Sequence, residues 1–265
     1  MLRWLRPSPE EAAAPTPAPA PDTRLYAVGD IHGRADLLAA LLPRLEADAR
    51  TRKADGRRTV LVFLGDYVDR GDHSRAVLDL LAAAGSGWAE PVFLRGNHEA
   101  ALLDFLTGPE TGAEWLAFGG LQTLASYGVP IPAPLPAGDT PAGAAVLRET
   151  AARLGLAMGE HIRFLARTHR LYRSGDVICS HAGIDPARPL EAQDDDALLW
   201  GRPDLPSRAT PPGLRVVHGH FDGDAAVVTP GRICVDTGAY YSGRLTAVRL
   251  DAEETLLWAD IADLP

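Results

Sequence analysis

Cysteine is nearly absent: only Cys179 and Cys234 occur in 265 residues. No disulfide framework can therefore staple the fold. Each cysteine lies in an apolar run that reads as a buried strand. A single bond between them stays open at this level, although lone thiols in such runs are more often inert core residues, which suits a reducing cytoplasm. A surplus of positive charge is also lacking. Lys and Arg number 26 against 35 Asp and Glu, a formal net charge of −9. That balance argues against a dedicated nucleic-acid binder. It does not argue against an anionic substrate, because a bound pair of divalent cations would add about +4 locally. No stretch approaches the roughly 18 uninterrupted apolar residues of a membrane span. Residues 1–6 carry charge with no apolar segment behind them, so no secretory signal is expected and the cytoplasm is the expected compartment. There is no internal repeat.

What is present is ordinary in bulk and unusual in arrangement. Hydrophobic residues make up 46% and charged residues 23%, enough for a core of normal size. The length suits one large domain, or a domain with an insert. Residues 7–21 read PSPEEAAAPTPAPAP, a Pro/Ala-rich segment with almost nothing to bury. A disordered leader is expected over residues 1–22, with a single catalytic domain over 23–265.

From Thr23 the pattern alternates between strand and helix. Short apolar strands are expected at 25–28, 59–64 and 91–94, the second buried on both faces. Helices should follow each. The first carries Leu38, Leu41, Leu42 and Leu45, with Pro43 expected to kink or shorten it. Ser74 is expected to N-cap the second, and Leu102, Phe105 and Leu106 mark the third. Such alternation is the signature of an α/β layered sheet. Residues 108–173 read as a mainly helical insert. After it, short strands at 177–179, 214–217, 226–228, 233–235, 245–250 and 255–258 suggest a second, partly antiparallel sheet packed against the first.

The chemistry-bearing residues fall at the C-terminal ends of these strands, where ligand sites form in open α/β sheets. The first strand delivers Gly29-Asp30-Ile31-His32-Gly33, and the second Gly65-Asp66-Tyr67-Val68-Asp69-Arg70-Gly71. The third delivers Gly96-Asn97-His98-Glu99. Later strands deliver Ser180-His181-Ala182-Gly183 and His218-Gly219-His220. Singly, each fragment is no more than a turn or a cap. Jointly, they are consecutive strand ends that each present Asp, Asn or His beside glycine. Carboxylate, imidazole and amide ligands together suit Mn, Fe or Zn better than Ca.

GDIHG, GDYVDRG and GNHE, with a later strand-end His and GH, resemble the phosphoprotein phosphatase family of metallophosphoesterases. The likeness is greatest to its bacterial and bacteriophage, lambda-type members. It extends to WGR at 200–202, HGH at 218–220 and DTGAYYSGRLT at 236–246. The resemblance implies an α/β/β/α sandwich of two packed mixed sheets flanked by helices, and two divalent metal ions, manganese foremost, with iron or zinc as the other candidates. It implies that Asp30 and His32 hold one metal, that Asp66 bridges both, and that Asn97, His181 and His220 complete the second. It further implies that His98 is the general acid, that Asp69 orients it, and that Arg70 and Arg202 grip phosphate. The implied reaction is hydrolysis of phosphoserine, phosphothreonine or phosphotyrosine by direct attack of a hydroxide shared by the metals. The expected partner is a phosphorylated protein or a small phosphoester, with neither nucleic acid nor membrane involved. One alternative is symmetric hydrolysis of dinucleoside polyphosphates such as diadenosine tetraphosphate. The other is a non-catalytic phosphate-binding module, disfavoured because every ligand position is filled. His73, His161 and His169 read as local hydrogen-bonding residues, and His218 as a neighbour of the site unless the register slips by two. Residues 194–196 read as a solvated acidic loop. Asp236 reads as structural, and Arg34 as remote from the chemistry.

Overall fold

The computed structural model describes residues 16–134, 139–202, 204 and 210–264. Residues 1–15 of the expected leader lie outside the described residues. Strand β1 (Thr23–Val28) pairs in parallel with β2 (Arg58–Phe63), and β2 with β3 (Glu90–Phe93). Tyr26, Val28, Leu61 and Phe63 face a helical layer, whereas Leu25, Ala27, Val60 and Val62 face a second sheet. Strands buried on both sides have no polar face to show, which is why they read as continuous apolar runs.

The helical layer holds α1 (Ala35–Thr51), α2 (Ser74–Ala83) and α3 (Asn97–Thr107). Into it pack α4 (Gly112–Trp115), a π-helical turn (Leu116–Gly120), α5 (Leu121–Ser126), α6 (Pro141–Met158) and α7 (Glu160–Ala166). The insert is thus mainly helical, but its end is a strand, β4 (Leu171–Ser174). The second sheet runs in the order β4, β5 (Val177–Ser180), β6 (Arg215–His218), β8 (Arg232–Cys234), β7 (Val227–Val228). Its outer face is covered by the short α8 (Asp195–Leu199), through Leu198 against Ile178, Ile184 and Val216. The result is two mixed sheets flanked by helices.

Several local expectations need correction. The last two strands, β9 (Arg244–Leu250) and β10 (Glu254–Asp260), join the first sheet, where β9 pairs antiparallel with β1 and lies beyond α9 (Ala239–Ser242). Leu245 and Ala247 feed the helix-side core and Val248 and Leu250 the inter-sheet core, so β9 is built for an internal position. Helix α1 is not shortened at Pro43 but runs through it to Thr51. Pro43 and Ala39, whose carbonyl the proline leaves unbonded, both lie on the exposed face. Leu37, Leu38, Leu41 and Leu45 are fully buried on the other. At roughly 1.5–3 kcal/mol each, they outweigh a proline cost of about 3 kcal/mol. Ser74 starts α2 without capping it; its hydroxyl accepts from the Asp69 amide at 3.1 Å. Finally, packing begins before Thr23: the Ala18 carbonyl accepts from Asp176 N (2.9 Å) and Ala20 N donates to Ser174 Oγ (3.1 Å).

Candidate metal centre

The loops leaving β1, β2, β3, β5 and β6 meet at one edge of the sandwich. Asp30, His32, Asp66, Asp69, Asn97, His98 and His181 are all buried there, and His220 is half-buried. His32, Asp66, Asp69, Arg70 and His220 adopt left-handed backbone, with φ between +44° and +72°, and they are the only non-glycine residues among those described to do so. Each such residue costs on the order of 1–3 kcal/mol and persists only where its surroundings over-determine it.

Here the surroundings are a backbone clamp. The Asp66 carbonyl accepts from Ile31 N and His32 N at 3.0 and 2.8 Å, tying the first loop to the second. The fully buried Glu99 carboxylate ties the second to the third. It accepts from Gly96 N (2.9 Å), Asp66 N (2.8 Å), Tyr67 N (2.7 Å) and Val68 N (3.3 Å). Burial, with the Asp66 charge beside it, pushes Glu99 up to about 7 against the pull of these amides. Glycine is required at two places: a β-carbon on Gly96 would overlap Asp66 Oδ1, and one on Gly219 would overlap Asp30 Oδ1.

The clamp brings hydrogen-bond acceptors together, and the His98 amide donates to Asp66 Oδ1 at 3.0 Å on one side of them. His32 Nδ1 lies 3.0 Å from the Val68 carbonyl and His181 Nδ1 3.1 Å from the Leu64 carbonyl. A carbonyl only accepts, so both rings carry their proton on Nδ1 and present a bare Nε2. Those two Nε2 atoms each stand 3.5 Å from Asp66 Oδ2. His181 Nε2 is also 2.8 Å from the Asn97 amide oxygen and 3.2 Å from His220 Nδ1. Burial lowers all three rings, His32 to about 3 and His220 to about 4. For Asp66, burial works against ionisation, but His181, His98 and His32 outweigh it and hold the carboxyl below its usual range. Two groups of potential ligands share this carboxylate: His32, Asp66 and His98, and Asp66, His181 and His220, with ligand atoms within 4.8 Å of one another in each. Converging lone pairs around a shared carboxylate fit a pair of cations.

Asp30 stands slightly apart. It belongs to neither group and turns to the His220 amide, 3.1 Å from Oδ2, the donor within its reach. Burial, then the charges of Asp236 and Asp66, push it well above the ordinary carboxylate range. Asp236 hydrogen-bonds Asp30 and, mainly by burial, is itself pushed to about 6.

His98 faces the site from the other side. Its Nδ1 is 2.7 Å from Asp69 Oδ2. Asp69 is fully buried and accepts two more bonds, from Trp115 Nε1 (2.9 Å) and Thr123 Oγ1 (2.6 Å). Both donors come from the insert, a contribution nothing in its composition announces. Burial opposes charge on His98, but Asp66 and Asp69 together outweigh it and raise the ring above an ordinary imidazole. Arg70 lies over the Tyr240 ring, 5.0 Å from its centre, and Tyr240 in turn meets the edge of His32. Glu99 and Tyr240 sit inside motifs visible in the sequence, GNHE and DTGAYYSG, without having been given a task there.

Arg202 is placed differently. Its half-exposed guanidinium lies beside Asp185 (3.8 Å) and Asp204 (3.5 Å) and does not line the cavity that opens on His98. His218 is buried next to the site with Nδ1 2.8 Å from the Gly219 carbonyl. His161 bonds Tyr127 and lies 3.3 Å from Asp79, far along the helical layer. Arg34 pairs with Asp36 and donates to the Ala239 carbonyl.

The sequence profile of the calcineurin-like phosphoesterases matches residues 23–249. Among curated proteins, the chain is 38% identical over 97 residues to serine/threonine-protein phosphatase 2 of Escherichia coli (strain K12), covering 36% of this chain and only 38% of that protein. It is 28% identical over 251 residues to the asymmetrical bis(5'-nucleosyl)-tetraphosphatase PrpE of Bacillus subtilis (strain 168), covering 86% of this chain and 91% of that one. Among solved structures, it resembles a candidate diadenosine tetraphosphatase with a TM-score of 0.56 and 21% identity, over 91% of this chain and 98% of that one. It also resembles the cold-active protein-tyrosine phosphatase of a psychrophilic Shewanella species, with a TM-score of 0.53 and 17% identity, over 92% of this chain and 85% of that one. At such identities the structural likeness speaks for the fold alone.

Proposed function

The chain belongs to the calcineurin-like phosphoesterase family, and we propose that it hydrolyses phosphoesters at a two-metal centre held by Asp30, His32, Asp66, Asn97, His181 and His220. The observation that carries this is that two groups of potential ligands share Asp66, with the bare Nε2 atoms of His32 and His181 each 3.5 Å from its Oδ2. Divalent ions bound there, manganese being our choice, would lower the pKa of a shared water to near neutrality and neutralise charge on the phosphate.

The rest is done by side chains of this chain. Asp69, held by Trp115 and Thr123, keeps one His98 proton on Nδ1 and, with Asp66, favours the doubly protonated ring, in which Nε2 carries the second proton. The His98 Nε2 is then the atom that delivers a proton to the departing oxygen. Arg70, steadied by the Tyr240 ring, is placed to take two phosphate oxygens in its fork. Arg202, engaged by Asp185 and Asp204, has at most an outer role in binding substrate.

Two substrate classes remain in play, and each has its own support. GDYVDRG and GNHE, and the 97-residue match to the E. coli phosphatase, support phosphoserine and phosphothreonine. The match to PrpE runs along 86% of this chain and supports a dinucleoside polyphosphate. We favour the second, because that likeness runs along most of both chains, whereas the phosphatase match covers about a third of this one. PrpE is named asymmetrical, so the symmetric cleavage anticipated from the motifs is not part of this proposal. The test compares rates on diadenosine tetraphosphate and on phosphoserine and phosphothreonine peptides, with manganese added. A kcat/KM at least about tenfold higher on the dinucleotide is expected. A preference for the peptides would return the protein to the phosphatase reading.

A further inference from the structure

The cavity beside His98 has two chemically different ends. It has a volume of about 500 Å3, and its inner end is lined by Arg70, Asn97, His98 and His220. Its outer wall is aromatic: Trp115 is buried and occupied with Asp69, but Phe118 is 62% and Trp200 49% exposed. Two exposed carboxylates, Asp104 and Glu114, complete that outer end. An anionic ligand portion belongs at the inner end, and a flat portion that donates hydrogen bonds and carries no negative charge belongs at the outer end.

The aromatic wall is built into the catalytic loop. Phe118 sits where the helical path kinks, immediately before the non-helical Gly119. The next residue, Gly119, has φ +119° and accepts the Arg70 amide on its carbonyl at 3.2 Å. A side chain at Gly119 would press on Arg70 N, 2.7 Å from the added carbon. Trp200 is anchored equally close, since its backbone hydrogen-bonds His220. Two large apolar side chains are thus held at the mouth of the cavity by the residues that line its inner end, with their surfaces left open to solvent.

We infer that the Phe118–Trp200 wall is a nucleobase subsite, which stacks a purine whose phosphate lies at the metal centre and whose amino group meets Asp104 or Glu114. This deepens the nucleotide reading above and rests on it. Each element follows from the ligand: a base offers a π face for the aromatics, and the exocyclic amine is a donor for carboxylates that would repel a phosphate.

The experiment is calorimetric titration of the manganese-loaded protein with adenosine monophosphate and, separately, with inorganic phosphate. Base stacking on one aromatic side chain corresponds to roughly 5- to 150-fold in affinity, so the nucleotide should bind more tightly than phosphate by about that factor. Phe118→Ala and Trp200→Ala should each remove most of this advantage and leave the phosphate affinity within about twofold. Equal affinities in the wild type would overturn the inference, as would variants that lose phosphate and nucleotide binding together. The same follows if a phosphoserine peptide, and not the nucleotide, is what the substitutions weaken. Binding is read without turnover, so failure of the hydrolytic proposal shows separately, as no manganese-dependent cleavage of any phosphoester by a wild type that still distinguishes the two ligands.

Discussion

Strands β1 and β9 bury charge at both of their ends, and the two ends resolve it in opposite ways. At the end remote from the candidate centre, Arg24 and Arg249 are almost completely buried among carboxylates. Arg24 meets Asp55 and, at 2.9 Å, Asp251; Arg249 meets Asp48 at 2.9 Å and Asp251 at 3.4 Å. Tyr26 adds a hydroxyl to Asp48 at 2.5 Å. Cations and anions of the chain itself pair there, with only Arg24 Nη1 and Arg249 Nε of the two guanidinium groups left buried without a hydrogen bond. At the other end, Asp30, Asp66 and Asp236 face histidine rings and one another, with no Lys or Arg paired to them among the described residues. The first end is finished by folding. The second is left for something to bind, and its left-handed residues record what holding it open costs.

The contrast can be broken most severely at Asp66. Asp66→Asn should abolish manganese binding and turnover of every phosphoester, because it removes the carboxylate shared by both ligand groups. His98→Asn should retain both metals and lose roughly 10²–10⁴-fold on alkyl phosphates, the usual worth of general acid–base help. Aryl phosphates, whose leaving groups need less protonation, should lose much less. Equal losses on both would reassign His98 to positioning the phosphate.

The mirror-image substitution is Arg249→Met. It strips the cation from a buried set of partners and should cost on the order of 3 kcal/mol of stability, read from urea midpoints, with metal content unchanged. A loss of bound manganese in folded Arg249→Met would show that the two ends are not separate. The smallest effect concerns acid. For Asp48 and Asp251 burial favours the neutral acid, but bonds from Tyr26, Arg249, Arg24 and the Glu253 backbone outweigh it and hold both below the ordinary carboxylate range. Folded values below unfolded ones mean that the stability they supply is present above about pH 4 and is lost as pH falls through the depressed values. Arg249→Met should flatten that acid limb. An unchanged limb would move the acid sensitivity elsewhere.

The two ends also differ in how much of them the sequence discloses. The metal-side residues are legible because each follows an apolar strand and sits beside glycine, so local pattern and site coincide. The Arg24–Arg249 network is illegible, because it depends on β9 pairing with β1 in the register Tyr26↔Arg249. That pairing joins residues more than two hundred positions apart, and it is also why β9 and β10 read as members of the wrong sheet. The same distance hides Trp115 and Thr123, whose bonds to Asp69 arise only once the insert folds back over the second loop. Strand β4 was swallowed by the insert since its four residues, LYRS, are only partly buried and show no long apolar run. Arg202 shows the converse limit: a short motif fixes neighbours in sequence, but Asp185 and Asp204 decide where the guanidinium goes.

The most direct test of the account is metal stoichiometry measured together with stability. Protein stripped with chelator and dialysed against manganese should bind two ions per chain by elemental analysis. Its melting temperature should rise on loading, because ligand bound only to the folded state stabilises it. In Asp66→Asn both the bound ions and the rise should disappear. Wild-type protein that binds no metal, melts at the same temperature with and without manganese and hydrolyses phosphoesters in chelator would contradict the account.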